Sequence, residues 1–118
     1  MALHMSATCR TFVSAESLAG MLGDPRLRLF DCRSDLTRPD AGAEQYAAGH
    51  LPGARFADLN RDLAAPVTPT SGRHPLPSPA IFAATLRDWG VNSDSRVVAY
   101  DERNGAYAAR LWWMLRWL

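Results

Sequence analysis

Cysteine is scarce in this chain: Cys9 and Cys32 are the only two in 118 residues. Two cysteines do not build a disulfide framework. Long apolar runs are missing as well. The first ten residues hold no apolar stretch of the kind an export signal needs. The longest run, residues 111–118, is broken by Arg116 and is far too short to span a bilayer. Charge of one sign is not in excess either. A net charge of +1 gives no electrostatic reason to expect nucleic acid or an anionic membrane surface as a partner. Glycine-rich phosphate motifs are lacking, and the three histidines and two cysteines are scattered without metal-ligand spacing. What these absences leave is a cytoplasmic protein with no cofactor and no metal.

The hydrophobic share, 47%, and the charged share, 21%, suit one globular core. Residues 1–11 read as a flexible tail and residues 12–118 as a single domain. Phe12 and Val13 lead into a helix capped by Ser14, with Glu16 in its first turn and Leu18, Met21 and Leu22 on one face. Gly23-Asp24-Pro25 stops it. Residues 27–32 form a buried strand, and residues 34–42, polar and holding Pro39, form a loop. A short helix covers residues 43–48, and Arg55 and Phe56 make a brief strand. Residues 59–79 carry five prolines and form a long loop, of the kind that is usually functional or wraps a neighbour. Ser78 and Pro79 open a helix whose apolar side is Ile81, Phe82, Leu86 and Trp89, with Gly90 at its end. Residues 96–100 are a strand, residues 101–105 a tight loop, and a last helix runs from about residue 106. Strands alternating with helices predict an α/β fold with a parallel sheet flanked by helices, and ligands then belong at the carboxyl ends of the strands. The loop after Cys32 and the loop at residues 101–105 are therefore the candidate sites.

Three motifs carry a resemblance. They are Tyr46-Ala47-Ala48-Gly49-His50-Leu51-Pro52-Gly53-Ala54, Leu76-Pro77-Ser78-Pro79, and Arg110-Leu111-Trp112-Trp113-Met114-Leu115-Arg116. From about residue 13 to residue 118 the chain resembles a rhodanese-like domain, and specifically the N-terminal, non-catalytic domain of two-domain thiosulfate and 3-mercaptopyruvate sulfurtransferases. Ala57 departs from the pattern, where the turn signature usually ends in a larger apolar residue.

The resemblance implies a three-layer rhodanese fold, which the chain leaves incomplete by one strand and one helix. It also implies a sulfur-accepting cysteine as the first residue after the strand at residues 96–100. Here that residue is Asp101, and a carboxylate cannot form a persulfide. The expected parent reaction moves sulfur from a small anionic donor at a domain cleft to a thiol or cyanide acceptor. A C-terminal catalytic domain, or a second chain, would supply the cysteine and complete the fold.

His74, Tyr107 and Arg110 are the candidates for the cleft or the domain interface. Asp101 is expected to bond the N–H groups of its own loop, as a substitute anion in their nest. His50, Pro52 and Gly53 are expected to shape a turn. Cys32 reads as a small buried residue, and Arg33 beside it as the partner of a carboxylate. Cys9 and His4 fall in the tail. The rival reading is a catalytically dead rhodanese module that binds or regulates a partner, with the apolar last helix and the proline-rich loop as its docking surface. A phosphatase of the same fold fails on the missing cysteine.

Overall fold

The computed structural model describes residues 2–5 and 11–118. The elements run in the order β1 (Ala2–Met5), β2 (Phe12–Val13), α1 (Ala15–Met21), β3 (Leu27–Asp31), α2 (Ala41–Ala48), β4 (Arg55–Phe56), α3 (Pro79–Asp88), β5 (Arg96–Tyr100) and α4 (Ala106–Trp117). They build one five-stranded sheet in the order β2-β1-β5-β3-β4. β3 is parallel to both β4 and β5, and the β3–β5 register runs from Leu27 opposite Arg96 to Asp31 opposite Tyr100. This places the loops that follow β3, β4 and β5 at one end of the sheet.

Side-chain alternation sorts the sheet into two faces. Phe30, Cys32, Val97 and Ala99 point to one side and form the main core with Phe82, Leu86 and Trp89 of the α3 region and Ala108, Leu111 and Met114 of α4. Leu29 and Val98 point the other way and pack with Leu18 of α1 and with Ala54. The result is an α/β sandwich with helices on both faces of a largely parallel sheet. Local chemistry fits each helix. Ser14 Oγ accepts from Ser17 N at 3.1 Å at the start of α1, and Ser78 Oγ accepts from Ile81 N at 3.2 Å at the start of α3, where Pro79 gives up no helical hydrogen bond. Gly90 follows α3 with φ 71°, a left-handed conformation that favours glycine.

Three features differ from the sequence reading. The segment assigned to a flexible tail contributes Ala2–Met5 as β1, paired antiparallel to both β5 and β2. The reason is the ladder. Without β1, the side of β5 that faces away from β3 would show a row of unpaired N–H and C=O groups. His4 falls in this strand, and Cys9 lies outside the described residues. Phe12 and Val13, read as a lead into α1, form the short outer strand β2.

α2 starts at Ala41, two residues before the expected helix. Pro39 and Gly42 suggest a loop, yet Gly42 is helical because the helix start presses against the chain leaving β3. A Cβ at Gly42 would collide with the Arg33 carbonyl oxygen. Gly42→Ala is therefore expected to cost about 1–3 kcal/mol through overpacking. Gly20→Ala in α1, where nothing lies within 4 Å of an added Cβ, should instead gain up to about 1 kcal/mol. Urea unfolding midpoints for the two variants check the contrast, and equal shifts would count against the close packing.

Candidate functional site

The loop after β5 is built around one carboxylate. Asp101 Oδ1 accepts from Arg103 N at 2.9 Å and Gly105 N at 3.1 Å. Its Oδ2 accepts from Tyr107 N at 3.0 Å and Ala108 N at 2.9 Å. A helix start normally leaves its first N–H groups for a side chain to satisfy. Here the N-cap is Gly105, in the left-handed region at φ 87°, and it has no side chain to offer. Asp101 takes over that role from four residues upstream. Asn104 Oδ1 accepts from Ala106 N at 3.3 Å, and Ala109 N returns to Gly105 O at 2.8 Å, which completes the first turn. Converging N–H groups and the positive end of a helix dipole make a cradle for an anion. Its occupant is Asp101, which is only 5% exposed.

Cys32 stands at the end of β3 on the opposite face from Asp31. It is 2% exposed and lies in the main core. Burial pushes its thiol pKa far up, and the neighbouring charges of Asp31 and Asp101 add to the rise. A buried, protonated thiol is a poor nucleophile. The loop N–H groups that could stabilise a thiolate are directed at Asp101 instead.

A second network sits beside this loop on the other face. Asp31 is fully buried. Arg33 Nη2 meets its Oδ2 at 2.6 Å and also donates to Gly49 O at 2.6 Å. Tyr100 Oη donates to Asp31 Oδ2 at 3.0 Å and accepts from Leu51 N at 3.1 Å. Burial, with the nearby Asp31 charge, raises the Tyr100 pKa to about 12, so it remains a donor. These bonds tie the turn after α2 to the ends of β3 and β5. Within that turn His50 Nδ1 donates to Tyr46 O at 2.7 Å, and its ring stacks on Tyr46 with centroids 3.7 Å apart. Ala54 N bonds Leu51 O across Pro52 and Gly53, and Gly53 has φ 78°, the conformation that favours glycine at the third position of such a turn.

A cleft of about 340 Å³ opens between the loops after β3 and β4. Ser34, Asp35, Leu36, Thr37 and Pro39 line one side, and Asn60, Val67, Arg73 and His74 the other. His74 is thus at the cleft. Tyr107 and Arg110 are not among its lining residues. Tyr107 is half-buried against the main core. Arg110 reaches from α4 to the long loop, donating through Nε and Nη2 to Leu63 O at 3.3 and 2.8 Å and through Nη2 to His74 O at 2.8 Å. Burial lowers the pKa of this guanidinium, and the partners recorded for it are carbonyls. The sequence reading missed Asn60, Arg73 and the Asp31–Tyr100 contact. The last was accessible in principle: parallel strands aligned from Leu27 and Arg96 bring Asp31 and Tyr100 side by side. Asn60 carried no signal, because its partner His74 lies 14 residues away in irregular chain.

Comparison with known proteins agrees with this geometry. Residues 14–118 match the family model of the rhodanese-like domain. The chain is 52% identical over 107 residues to a probable 3-mercaptopyruvate sulfurtransferase of Pseudomonas aeruginosa, covering 90% of this chain and 38% of that protein. It is 40% identical to the 3-mercaptopyruvate sulfurtransferase of Escherichia coli K12, covering 89% and 37%. Among solved structures, the 3-mercaptopyruvate sulfurtransferase from Leishmania major superposes with a TM-score of 0.81 at 37% identity, over 89% of this chain and 29% of that one. The crystal structure of the Escherichia coli enzyme gives a TM-score of 0.76 at 40% identity, over 89% and 40%. The chain spans well under half the length of each of these relatives. Sheet, turn, loop and sequence together make this chain a member of the rhodanese-like domain family.

Proposed function

We propose that this chain is the N-terminal, non-catalytic rhodanese-like domain of a cytoplasmic tandem sulfurtransferase. In that protein a second domain carries the cysteine that accepts sulfur from thiosulfate or 3-mercaptopyruvate and passes it to a thiol or cyanide. This chain contributes packing area and one wall of the cleft that receives the small anionic donor, with His74 and Arg73 on that wall.

The observation that carries the reading is Asp101, held by four N–H groups at the position where sulfur would have to be bound. The buried Cys32 supports it, since it offers no accessible thiolate in exchange. The length of the relatives supports the tandem arrangement, because they extend well beyond the matched region.

The purified chain, incubated with either donor and with cyanide or a thiol, should show no turnover above the uncatalysed rate. Its intact mass should show no added sulfur atom. Turnover, or a persulfide on Cys32, would overturn the reading. The coding sequence beyond codon 118 should encode a second strand–cysteine–loop unit. A stop codon or an unrelated domain there would favour a catalytically dead module that docks a partner, for which Trp113 on α4 and Val67 on the proline-rich loop, both exposed, are apolar contacts.

A further inference from the structure

The loop after β5 holds the only Asn-Gly pair in the sequence, Asn104 and Gly105. Such a pair carries a chemistry of its own. The backbone nitrogen of the second residue can attack the side-chain carbonyl carbon of the first, and glycine has no Cβ to obstruct the approach. The fold restrains both reacting groups. Asn104 is exposed, but its Oδ1 accepts from Ala106 N at 3.3 Å. Gly105 is buried, and its N–H donates to Asp101 Oδ1 at 3.1 Å. The other asparagines lack the pairing, since Asn60 precedes Arg61 and Asn92 precedes Ser93.

We infer that Asn104 is a modification site, converted through a cyclic imide to aspartate or isoaspartate, and that Asp101 gates the reaction by holding Gly105 N. The chemistry needs water and no other co-reactant. Gly105 N bonds to Asn104 Cγ and loses its hydrogen, the Cγ–Nδ2 bond breaks, and ammonia leaves with that hydrogen. Water then opens the ring at one carbonyl or the other, which leaves aspartate or isoaspartate at position 104. Nothing is oxidised or reduced. The gate is electrostatic and geometric. A carboxylate is too weak a base to strip an amide nitrogen, and its negative charge opposes the charge that must build on that nitrogen as it attacks. Arg103, Tyr107 and Ala108 N–H groups hold the same carboxylate in place, so Gly105 N is released when the loop opens. The product then keeps the loop from closing as before. Isoaspartate routes the main chain through an extra carbon between residues 104 and 105. N–H groups on either side of that insertion no longer converge on one carboxylate. The inference concerns this loop alone and stands apart from the proposed function.

The test is a time course of the purified chain at mildly alkaline pH, kept native in one arm and unfolded in urea in the other. Trypsin cuts after Arg103 and Arg110, so residues 104–110 come off as one peptide with Asn104 as its only asparagine. Its mass reports loss of the amide, and chromatography separates the isoaspartyl form. In urea, position 104 should convert before positions 60 and 92. In the native chain it should convert at least about tenfold more slowly than in urea, the factor that one hydrogen bond to a charged acceptor supplies. Asp101→Ala, where circular dichroism shows it folded, should bring the native rate close to that in urea. Arg33→Ala weakens the fold through Asp31 instead and should keep the slow wild-type rate. That second variant decides the matter even where Asp101→Ala does not fold. Conversion as fast in the native chain as in urea overturns the inference. So does faster conversion in Arg33→Ala, which would make global unfolding the gate, and so does a lag of position 104 behind position 60 or 92 in urea.

Discussion

Asp101→Ala is expected to lose about 2–6 kcal/mol of unfolding free energy. The substitution removes the acceptor for four N–H groups at once. Two of those bonds, to Gly105 and Ala108, are buried, and each orphaned buried donor costs about 1–3 kcal/mol. The two more exposed donors can turn to water and add little. Against a total stability of about 5–15 kcal/mol for a small domain, the loss is large for one side chain on a loop. Asp101→Asn keeps one acceptor oxygen but aims an NH₂ at donors, so it should fall between alanine and wild type. Urea denaturation of the three proteins checks the order. A loss under about 0.5 kcal/mol for alanine, the level of an ordinary surface change, would mean that the cradle holds its shape without its anion.

Arg33→Ala should be as damaging by a different route. It leaves the fully buried Asp31 carboxylate with Tyr100 Oη and the backbone N–H of residue 33 as donors but without its countercharge, and it also deprives Gly49 O of its donor. Removing one partner of a buried ion pair costs about 3–5 kcal/mol, because the remaining charge is stranded. Replacing the pair together, Asp31→Leu with Arg33→Met, should recover a good part of that loss. The contrast is Arg38 with Glu44. Their side chains meet at 2.7 Å but are 63% and 62% exposed, so Arg38→Ala should cost no more than about 0.5 kcal/mol. Thermal or urea melts of the three variants and the wild type decide the matter. If Arg33→Ala and Arg38→Ala destabilise equally, burial is not what gives the Asp31 pair its weight.

Most of the fold was legible because its signals are local. β4 and β5 could be bounded from residue types alone, and so could the caps at Ser14 and Ser78, since a hydroxyl three residues before a free N–H is a short-range cue. The start of α2 was misplaced for a long-range reason. Glycine at position 42 serves contact with Arg33, and propensity cannot show that. β1 was unreadable because its four residues gain their pairing from β5, nearly a hundred positions away in sequence.

The site divides the same way. That Asp101 stands where a cysteine would be needed could be read from its place after β5. The grouping of Asn60, His74 and Arg110 depends on how a proline-rich loop folds back over α4, and no periodicity encodes that path.

The sheet also has a property that its strand order makes plain. Its outermost members, β2 and β4, are each two residues long. An incoming chain needs several consecutive free amides to add itself to a sheet, and a two-residue outer strand does not by itself offer them. Edge-on stacking of copies through β2 or β4 is thus disfavoured.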